Sequence, residues 1–452
     1  MPASTERRPR IAVLADSDTR WKWGALTARR IAPDGVRLDG FLLRGRATPT
    51  PRQLAEVGVR ADTLREVTAA AFLHEMGECA GPGRIGDEPY DVVLLSLVGG
   101  GVQAMLHGLA HVWHGLAKRP VVVTGYVGVV YEKLADGLLL RHGADLVLAN
   151  SRHDAGRFRE VYAGVGADTS GVVECALPFL GGTPYAPAAP DERPFTVVFA
   201  VQPSVPDNRA DRAYLLRRAV EHARLHPDRE VLVKLRSKPG EHTTHVEELP
   251  YQKLAARQPG GLPANCRLVQ GNMSDVLDRT DLLVTVSSTA ALEALHRRVP
   301  TAVLTDLGIR EALGNHHFLG SGCLASWDEL DAGRLPSADP EWCDRQGVAA
   351  DGAYETAFDT VRERVAALTA APGLPPLSPY YTPLTAPGYL PGVLARHGLG
   401  PGGAPLPGAG EEPREVGVLR RAAREFARNA ARTAYRQGVQ RVAPVIRRWG
   451  HL

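Results

Sequence analysis

The stretch DLLVTVSSTAALEAL, residues 281–295, combines a short apolar run, a turn of hydroxyl residues and the start of a helix. The apolar run is continuous rather than alternating, which is typical of a parallel strand covered on both faces. The turn that follows, Ser287-Ser288-Thr289, supplies an N-cap for the helix. Because a helix N-terminus carries unpaired N–H groups and partial positive charge, the stretch predicts an α/β fold that binds a phosphate at this turn.

Two further features of this stretch bear on the phosphate hypothesis. Glu293 lies one helical turn after the hydroxyl residues and can accept hydrogen bonds from ribose hydroxyl groups. The alternative is that Ser287-Ser288-Thr289 is an ordinary N-cap in a strand-to-helix loop, with no ligand at all. Both interpretations stay open at this point.

Apolar runs of the same kind recur along the chain and alternate with helical patterns. The runs are residues 11–15, 91–96, 120–124, 144–150, 195–200, 231–235, 266–269 and 301–304. The helical patterns between them are residues 52–79, 102–118, 209–226, 273–279, 289–298 and 354–370. Such alternation predicts doubly wound parallel sheets.

A stretch rich in Pro, Gly and Ala, residues 180–193, divides the pattern in two. We therefore expect two Rossmann-like α/β domains, residues 9–180 and 194–371, that face each other across a cleft. Residues 372–413 are rich in Pro and Gly and predict a connector without regular structure. Residues 414–450 predict a basic amphipathic helix.

Composition excludes several classes of protein. The chain has 452 residues, 44% of them hydrophobic and 23% charged, with a net charge of only +3, which gives no reason to expect a nucleic-acid partner. Its five cysteines are scattered without a CxxC pair, which argues against a disulfide framework or a zinc ribbon. The sequence shows neither a secretory signal nor a membrane-spanning run, so we expect a cytoplasmic protein.

Polar residues follow two strands of the predicted second domain. Lys234, Arg236 and Lys238 alternate after one strand and would project to the same side if the chain stayed extended. Gln202 and Ser204 follow the preceding strand and would face the same cleft. The three cations predict a clamp for a diphosphate; a solvated basic loop is the alternative.

Acids and aromatic residues follow the first strand of the predicted first domain. Asp16 and Asp18 are candidates for a general base, although either can simply cap the next helix. Glu132 is a third candidate base. Trp21 and Trp23 have the amphipathic rings that stack on sugar faces.

Two glycine-containing strand ends complete the predicted first-domain site. Gly100, in the run 99–101, permits close approach to a ligand, and Tyr126 occupies the corresponding position after the next strand. His107, His111 and His114 share one helix face, but no Glu stands beside them and Trp113 indicates a packed helix. We therefore expect no metal and no cofactor.

The segment from Ser288 to Pro300 resembles the donor-binding domain of glycosyltransferases with the two-Rossmann architecture called GT-B. It is most similar to bacterial sialyltransferase-like and capsule-type enzymes and to an actinobacterial glycosyltransferase group. The histidine-proline pair of several sialyltransferase-like families is missing at the matching strand end. The resemblance implies a nucleotide-sugar donor in the second domain, a glycan or lipid-linked acceptor at the first, and a role in cell-envelope or exopolysaccharide synthesis.

Two other functions share this architecture. A nucleotide-sugar 2-epimerase would need no acceptor, so product analysis with the donor alone separates it from a transferase. A non-catalytic nucleotide-sugar-binding scaffold would bind the nucleotide without turnover. The basic helix, with Arg424, Arg428, Arg432 and Arg436 in one stripe, predicts docking on an anionic membrane at the inner face of the plasma membrane; packing on the protein body is the alternative.

Overall fold

The computed structural model describes residues 7–80, 88–129, 134–189, 191–238, 241, 249–348 and 353–409. Its first sheet is parallel and contains β1 (Arg10–Ala15), β2 (Arg37–Leu43), β3 (Thr63–Val67), β4 (Val92–Ser96), β5 (Val121–Gly125), β6 (Leu146–Ala149) and β7 (Val172–Glu174), in the order β3-β2-β1-β4-β5-β6-β7. The helices around it are α1 (Asp18–Ile31), α2 (Pro51–Val57), α3 (Ala69–Ala80), α4 (Gly99–Val112), α5 (Leu134–Leu139) and α6 (Arg152–Gly164).

The second sheet is also parallel. It contains β8 (Phe195–Ala200), β9 (Arg229–Lys234), β10 (Cys266–Val269), β11 (Leu282–Thr285), β12 (Thr301–Leu304) and β13 (Leu324–Ala325), in the order β10-β9-β8-β11-β12-β13. Its helices are α7 (Arg209–Leu225), α8 (Tyr251–Ala255), α9 (Met273–Leu277), α10 (Ala290–His296), α11 (Trp327–Asp331) and α12 (Pro340–Arg345), with 3₁₀ turns at Glu311–Leu313 and Asn315–Phe318. The predicted fold class, two doubly wound parallel sheets, is confirmed.

Helix α1 lies directly on the first sheet. A Cβ added to Gly24 would lie 2.6 Å from Val13 Cγ1 and 3.1 Å from Ser96 Cβ, so only glycine permits this approach. Ser17 is the N-cap and accepts a hydrogen bond from the Arg20 N–H. The start of α1, with Asp18, is thereby fixed at the carboxyl end of β1.

The prediction of a single helix over residues 52–79 is wrong. Gly58 ends α2 in the left-handed conformation with φ 69°, and β3 and α3 follow. Only Val67 of β3 is buried, because β3 is the edge strand, so this strand lacks the continuous apolar run by which the others were identified. The helix predicted over residues 102–118 begins earlier and ends earlier, at Gly99 and Val112.

The chain returns to the first domain after the second sheet. Helices α13 (Ala353–Thr356) and α14 (Asp359–Ala370) follow, and α14 packs on α1 and β7. Residues 359–370 therefore lie with the first sheet, which corrects the expected boundary at 371. The Tyr354 hydroxyl donates to the Leu177 carbonyl at 3.0 Å, and Arg297 Nε donates to the Gly181 carbonyl at 2.8 Å. The segment that returns to the first domain at Tyr354 therefore lies beside the segment that leaves it after Leu177.

Residues 372–409 are not the irregular connector that the composition predicts. They contain α15 (Leu390–Ala395), and Leu377, Leu390 and Leu394 are buried in the core formed with α4. Arg119 Nη2 donates to the Pro375 carbonyl at 2.6 Å. The predicted basic helix, residues 414–450, lies outside the described residues. No described helix combines the length and the apolarity that a membrane crossing requires.

Candidate functional site

A cavity of about 700 Å³ lies between the carboxyl ends of the two sheets. It brings together all eight residues that the sequence predicts as donor ligands: Gln202, Ser204, Lys234, Arg236, Ser287, Ser288, Thr289 and Glu293. Asp18 of the first domain lines the same cavity. A polar recess of about 650 Å³ adjoins it and shares Glu56, Gly271 and Asn272 with it. The carboxyl edge of parallel sheets is where such folds bind ligands.

The hydroxyl turn before α10 is held rigid by its own hydrogen bonds. Ser287 is 1% exposed; its N–H donates to Gln202 Oε1 at 3.0 Å and its Oγ donates to the Leu313 carbonyl at 2.6 Å. The Ser288 N–H donates to Thr285 Oγ1 at 3.2 Å. Ser287 therefore joins the turn to its neighbours, and Ser288 and Thr289 occupy the cavity wall at the start of α10.

The loop after β8 is fixed by a residue that sequence reasoning missed. Arg212 of α7 is 1% exposed, and its Nη1 donates to the carbonyls of Gln202, Pro203 and Pro206 at 3.1, 3.1 and 3.2 Å. The guanidinium also lies 4.4 Å from the centre of the Tyr251 ring. Its sequence signal is an arginine on the apolar face of a helix, which indicates a buried partner.

The three predicted cations do not converge. Lys234 is 7% exposed, and burial is the main cause that lowers its pKa to about 8. Its Nζ donates to the Leu235 carbonyl at 2.7 Å. Lys238 lies in the adjoining recess instead, because β9 ends at Lys234 and the chain bends beyond it.

The structure separates the candidate bases. Asp16 does not line the cavity: its Oδ1 pairs with Arg20 Nη1 at 2.9 Å and its Oδ2 accepts from the Val98 N–H at 3.0 Å. Asp18 lines the cavity, and its Oδ1 accepts from the Thr19 N–H at 2.7 Å. Glu132 lies outside the described residues.

The expected sugar-stacking role of Trp21 and Trp23 is wrong. Both side chains are 0% exposed, because they form the core between α1 and the first sheet, with Trp21 against Gly40 and Trp23 against Gly125. The aromatic ring that does line the cavity is that of Phe179, with Lys22 Nζ 4.7 Å from its centre.

Gly100 and Tyr126 are also absent from the cavity lining, contrary to the prediction that they hold the acceptor. The Tyr126 ring packs against the Arg141 guanidinium, 4.0 Å from the ring centre, and its hydroxyl lies 3.4 Å from the Leu134 carbonyl. Gln53 and Glu56 of α2 line the first-domain side of the cavity. The sequence does not reveal them because its helical pattern predicts one long helix over residues 52–79, whereas α2 ends at Val57.

Charged contacts cross the cavity from one domain to the other. Arg236 Nη2 donates to Asp18 Oδ2 at 2.7 Å and also to Thr19 Oγ1. Lys22 Nζ lies 3.7 Å from Glu293 Oε2. Arg52 of α2 pairs with Glu241 beyond β9.

A cluster of possible metal ligands lies on another part of the second domain. His222, His226 and Asp331 place ligand atoms within 4.8 Å of one another. His222 Nδ1 is 2.6 Å from Asp331 Oδ1, and Arg218 Nη2 pairs with Asp331 Oδ2 at 2.7 Å. The positive charge of Arg218 therefore already balances the negative charge of the Asp331 carboxylate. Helix α4 ends at Val112, before His114, and His107 Nε2 lies 3.0 Å from the Tyr381 carbonyl, which indicates a packing role.

Comparison with known proteins gives similar folds at low identity. No curated protein sequence matches the chain significantly. A UDP-glucosyltransferase from Polygonum tinctorium is similar with a TM-score of 0.49 and 12% identity, over 80% of this chain and 99% of that one. A UDP-N-acetylglucosamine 2-epimerase from Rickettsia bellii has a TM-score of 0.48 and 12% identity, over 80% and 97% of the two chains.

A UDP-GlcNAc 2-epimerase from Neisseria meningitidis, solved with UDP-GlcNAc bound, has a TM-score of 0.45 and 9% identity, over 78% of this chain and all of that one. A family model matches residues 11–368, which include the whole cavity and, apart from Arg10 of β1, both sheets. The chain belongs to the glycosyltransferase family that this model describes as "Putative glycosyltransferase (DUF6716)".

Proposed function

We propose that this chain transfers a sugar from a nucleotide-sugar donor to a hydroxyl group of a glycan or lipid-linked acceptor. Membership of a glycosyltransferase family supports the reaction class. The observation that carries the proposal for this chain is the cavity between the two sheets. It is lined by two cations and the hydroxyl turn from the second domain and by the carboxylates of Asp18 and Glu56 from the first.

In this proposal the second domain holds the donor. Lys234 and Arg236 neutralise the diphosphate, and Ser288 and Thr289 contribute hydroxyl groups at the positive end of α10. Glu293 accepts hydrogen bonds from ribose hydroxyls, for which it must exchange its contact with Lys22.

The chemistry follows from the positions of the charges. The acceptor oxygen attacks the anomeric carbon of the sugar, the bond from that carbon to the phosphate oxygen breaks, and Asp18 takes the proton of the acceptor hydroxyl. Negative charge grows on the leaving diphosphate. Lys234, 7% exposed, acts there in a poorly solvated environment in which a positive charge stabilises an anion strongly. We propose that these two cations make a divalent metal unnecessary.

The finer assignments rest on the resemblance of residues 288–300 to envelope-type enzymes. We extend the proposal to cell-envelope or exopolysaccharide synthesis, with a hexosyl or sialyl group transferred. Incubation with donor alone is the decisive comparison with an epimerase, since a transferase leaves the donor sugar's configuration unchanged.

The first experiment identifies the nucleotide and tests its site. A thermal-shift screen with UDP, GDP, CMP and CDP selects the ligand that stabilises the folded protein. Calorimetry then compares the wild type with the double variant Ser288→Ala/Glu293→Ala. We expect the variant to lose about 1 to 3 kcal/mol of binding free energy, because a hydroxyl and a carboxylate acceptor are removed.

The control is Ser170→Ala/Glu221→Ala, which removes the same side-chain types from exposed positions outside the cavity. Its nucleotide affinity should match that of the wild type. If the cavity variant also binds the nucleotide with unchanged affinity, the donor site lies elsewhere.

A further inference from the structure

Asp18 and Arg236 form an ion pair at the cavity. Arg236 Nη2 donates to Asp18 Oδ2 at 2.7 Å, and Asp18 Oδ1 accepts from the Thr19 N–H at 2.7 Å. Both carboxylate oxygens of Asp18 therefore already accept a hydrogen bond. The two residues are 218 positions apart in sequence, so this contact joins the first domain to the second.

The pair is asymmetric in exposure. The Asp18 side chain is 8% exposed, whereas that of Arg236 is 40% exposed. Asp18 is fixed by the first turn of α1, while the long arginine side chain extends into the solvent-accessible cleft. Arg236 is therefore the partner that can move when a competing anion enters the cavity.

The intact pair competes with the proposed role of each residue. An acceptor hydroxyl that gives its proton to Oδ2 of Asp18 has to compete with Arg236, which already donates to that oxygen. A diphosphate needs Arg236 as a donor, and one of its terminal nitrogens is committed to Asp18 and Thr19.

We propose that the donor diphosphate operates this pair as a switch: it draws Arg236 away from Asp18 and so releases Asp18 to act as the base. The inference rests on the proposed function, and it assigns Arg236 a second role as a positioning residue for Asp18. It also orders the reaction, since the base becomes available to an acceptor only after the donor has bound.

The neighbouring contacts support a switch rather than a general opening of the cleft. Lys22 and Glu293, 3.7 Å apart, and Arg52 with Glu241 also join the two domains. Of these two pairs, Arg52 with Glu241 involves no residue of the proposed donor site, so it can hold the domains together while the donor binds and Arg236 rotates. The switch therefore needs a side-chain movement and no separation of the domains.

The switch predicts that a substitution of Asp18 strengthens the binding of diphosphate. Breaking the ion pair between Asp18 and Arg236 costs free energy, which offsets part of the favourable interaction of the diphosphate with Arg236. Because Asp18→Asn removes the carboxylate charge, this cost should disappear and the diphosphate should bind more strongly. We expect Asp18→Asn to bind UDP and inorganic diphosphate about fivefold more tightly, as expected for a partly exposed ion pair. Arg236→Ala should bind both more weakly than the wild type.

The test is a double-mutant cycle measured by calorimetry with inorganic diphosphate and with UDP. In the Arg236→Ala background, Asp18→Asn should no longer tighten binding, because no ion pair remains to be broken. The control Glu311→Gln removes a carboxylate that lines the same cavity and measures the general effect of negative charge on an anion. The tightening by Asp18→Asn should exceed this control about threefold or more.

Each outcome separates the two hypotheses. If the wild type binds nucleotide but Asp18→Asn binds it no better than Glu311→Gln does, the switch is refuted and the proposed function stands. The switch is also refuted if Asp18→Asn tightens binding equally with and without Arg236. If neither nucleotide nor diphosphate binds the wild type, the proposed function and the switch both fail. Should Asp18→Asn not fold, Asp18→Ser replaces it, because serine can still accept from the Thr19 N–H.

Turnover gives an independent reading of the same switch. With any acceptor that supports transfer, Asp18→Asn should lower both kcat and the KM for the donor. A residue with a purely structural role would not lower the donor KM. An unchanged or raised donor KM contradicts the inference.

Discussion

Replacement of Arg212 by alanine tests whether the loop after β8 depends on this one buried guanidinium. The substitution leaves the Pro206 carbonyl, which is buried, without its donor, at a cost of about 1 to 3 kcal/mol. The carbonyls of Gln202 and Pro203 are only partly buried and can be hydrated from the cavity. Loss of the contact with the Tyr251 ring adds about 1 kcal/mol.

The expected total is therefore about 3 kcal/mol of unfolding free energy. At about 2 to 4 °C per kcal/mol, the melting temperature should fall by about 10 °C. Nucleotide binding should weaken about tenfold as well, because Gln202 and Ser204 would have to be ordered by the ligand. Scanning calorimetry and titration calorimetry measure the two effects.

Arg217→Ala is the matched control, since this arginine lies on the same helix with 52% of its side chain exposed and pairs with Glu221 on the surface. It should melt within about 2 °C of the wild type. If Arg212→Ala melts together with this control and binds nucleotide normally, the loop is held by other contacts and the reasoning is refuted.

Two further predictions concern stability. Gly24→Ala should destabilise the protein by about 1 to 3 kcal/mol, because its Cβ would lie 2.6 Å from Val13 Cγ1. The control Gly156→Ala has open space around it in α6 and should stabilise the protein by about 0.5 to 1 kcal/mol. Equal melting temperatures of the two variants would contradict this prediction. Burial raises the pKa of Asp154 to about 6, so its contribution to stability is present below its unfolded pKa of 3.8 and is lost as the pH rises through 6. Wild type should gain about 1 kcal/mol relative to Asp154→Asn between pH 8 and pH 5 in urea unfolding, and parallel pH profiles would show that this carboxyl does not matter.

The sequence predicts well those elements whose residues share one environment. Strands β1, β4, β8 and β11 are covered on both faces, so each is a continuous apolar run that identifies it without reference to its neighbours. Edge strand β3 has four exposed residues out of five, and its pattern does not distinguish a strand from a helix.

All eight donor residues named from the sequence line the cavity, whereas of the described first-domain candidates Asp18 lines it and Asp16, Trp21, Trp23, Gly100 and Tyr126 do not. The donor residues follow strand ends directly, and a parallel sheet gathers its strand ends at one edge. A tryptophan after a strand can stack on a sugar or fill the core, and the sequence of Trp21 and Trp23 is the same in both cases. The close contact of α1 with the sheet, which buries both side chains, shows that they belong to the core. The pairing of Asp18 with Arg236 depends on the relative placement of two domains, which no local pattern contains.

The two adjacent crossings between the domains limit how the enzyme can open. One crossing follows Leu177, the other leads to α14, and the Tyr354 hydroxyl joins them. A body attached at one point can swivel in every direction, but a second attachment removes most of these freedoms. What remains is rotation about the line through both, as in a door. We therefore expect a ligand to enter the cavity from the side opposite this axis, and we expect closure to return the two faces of the cavity to the same alignment.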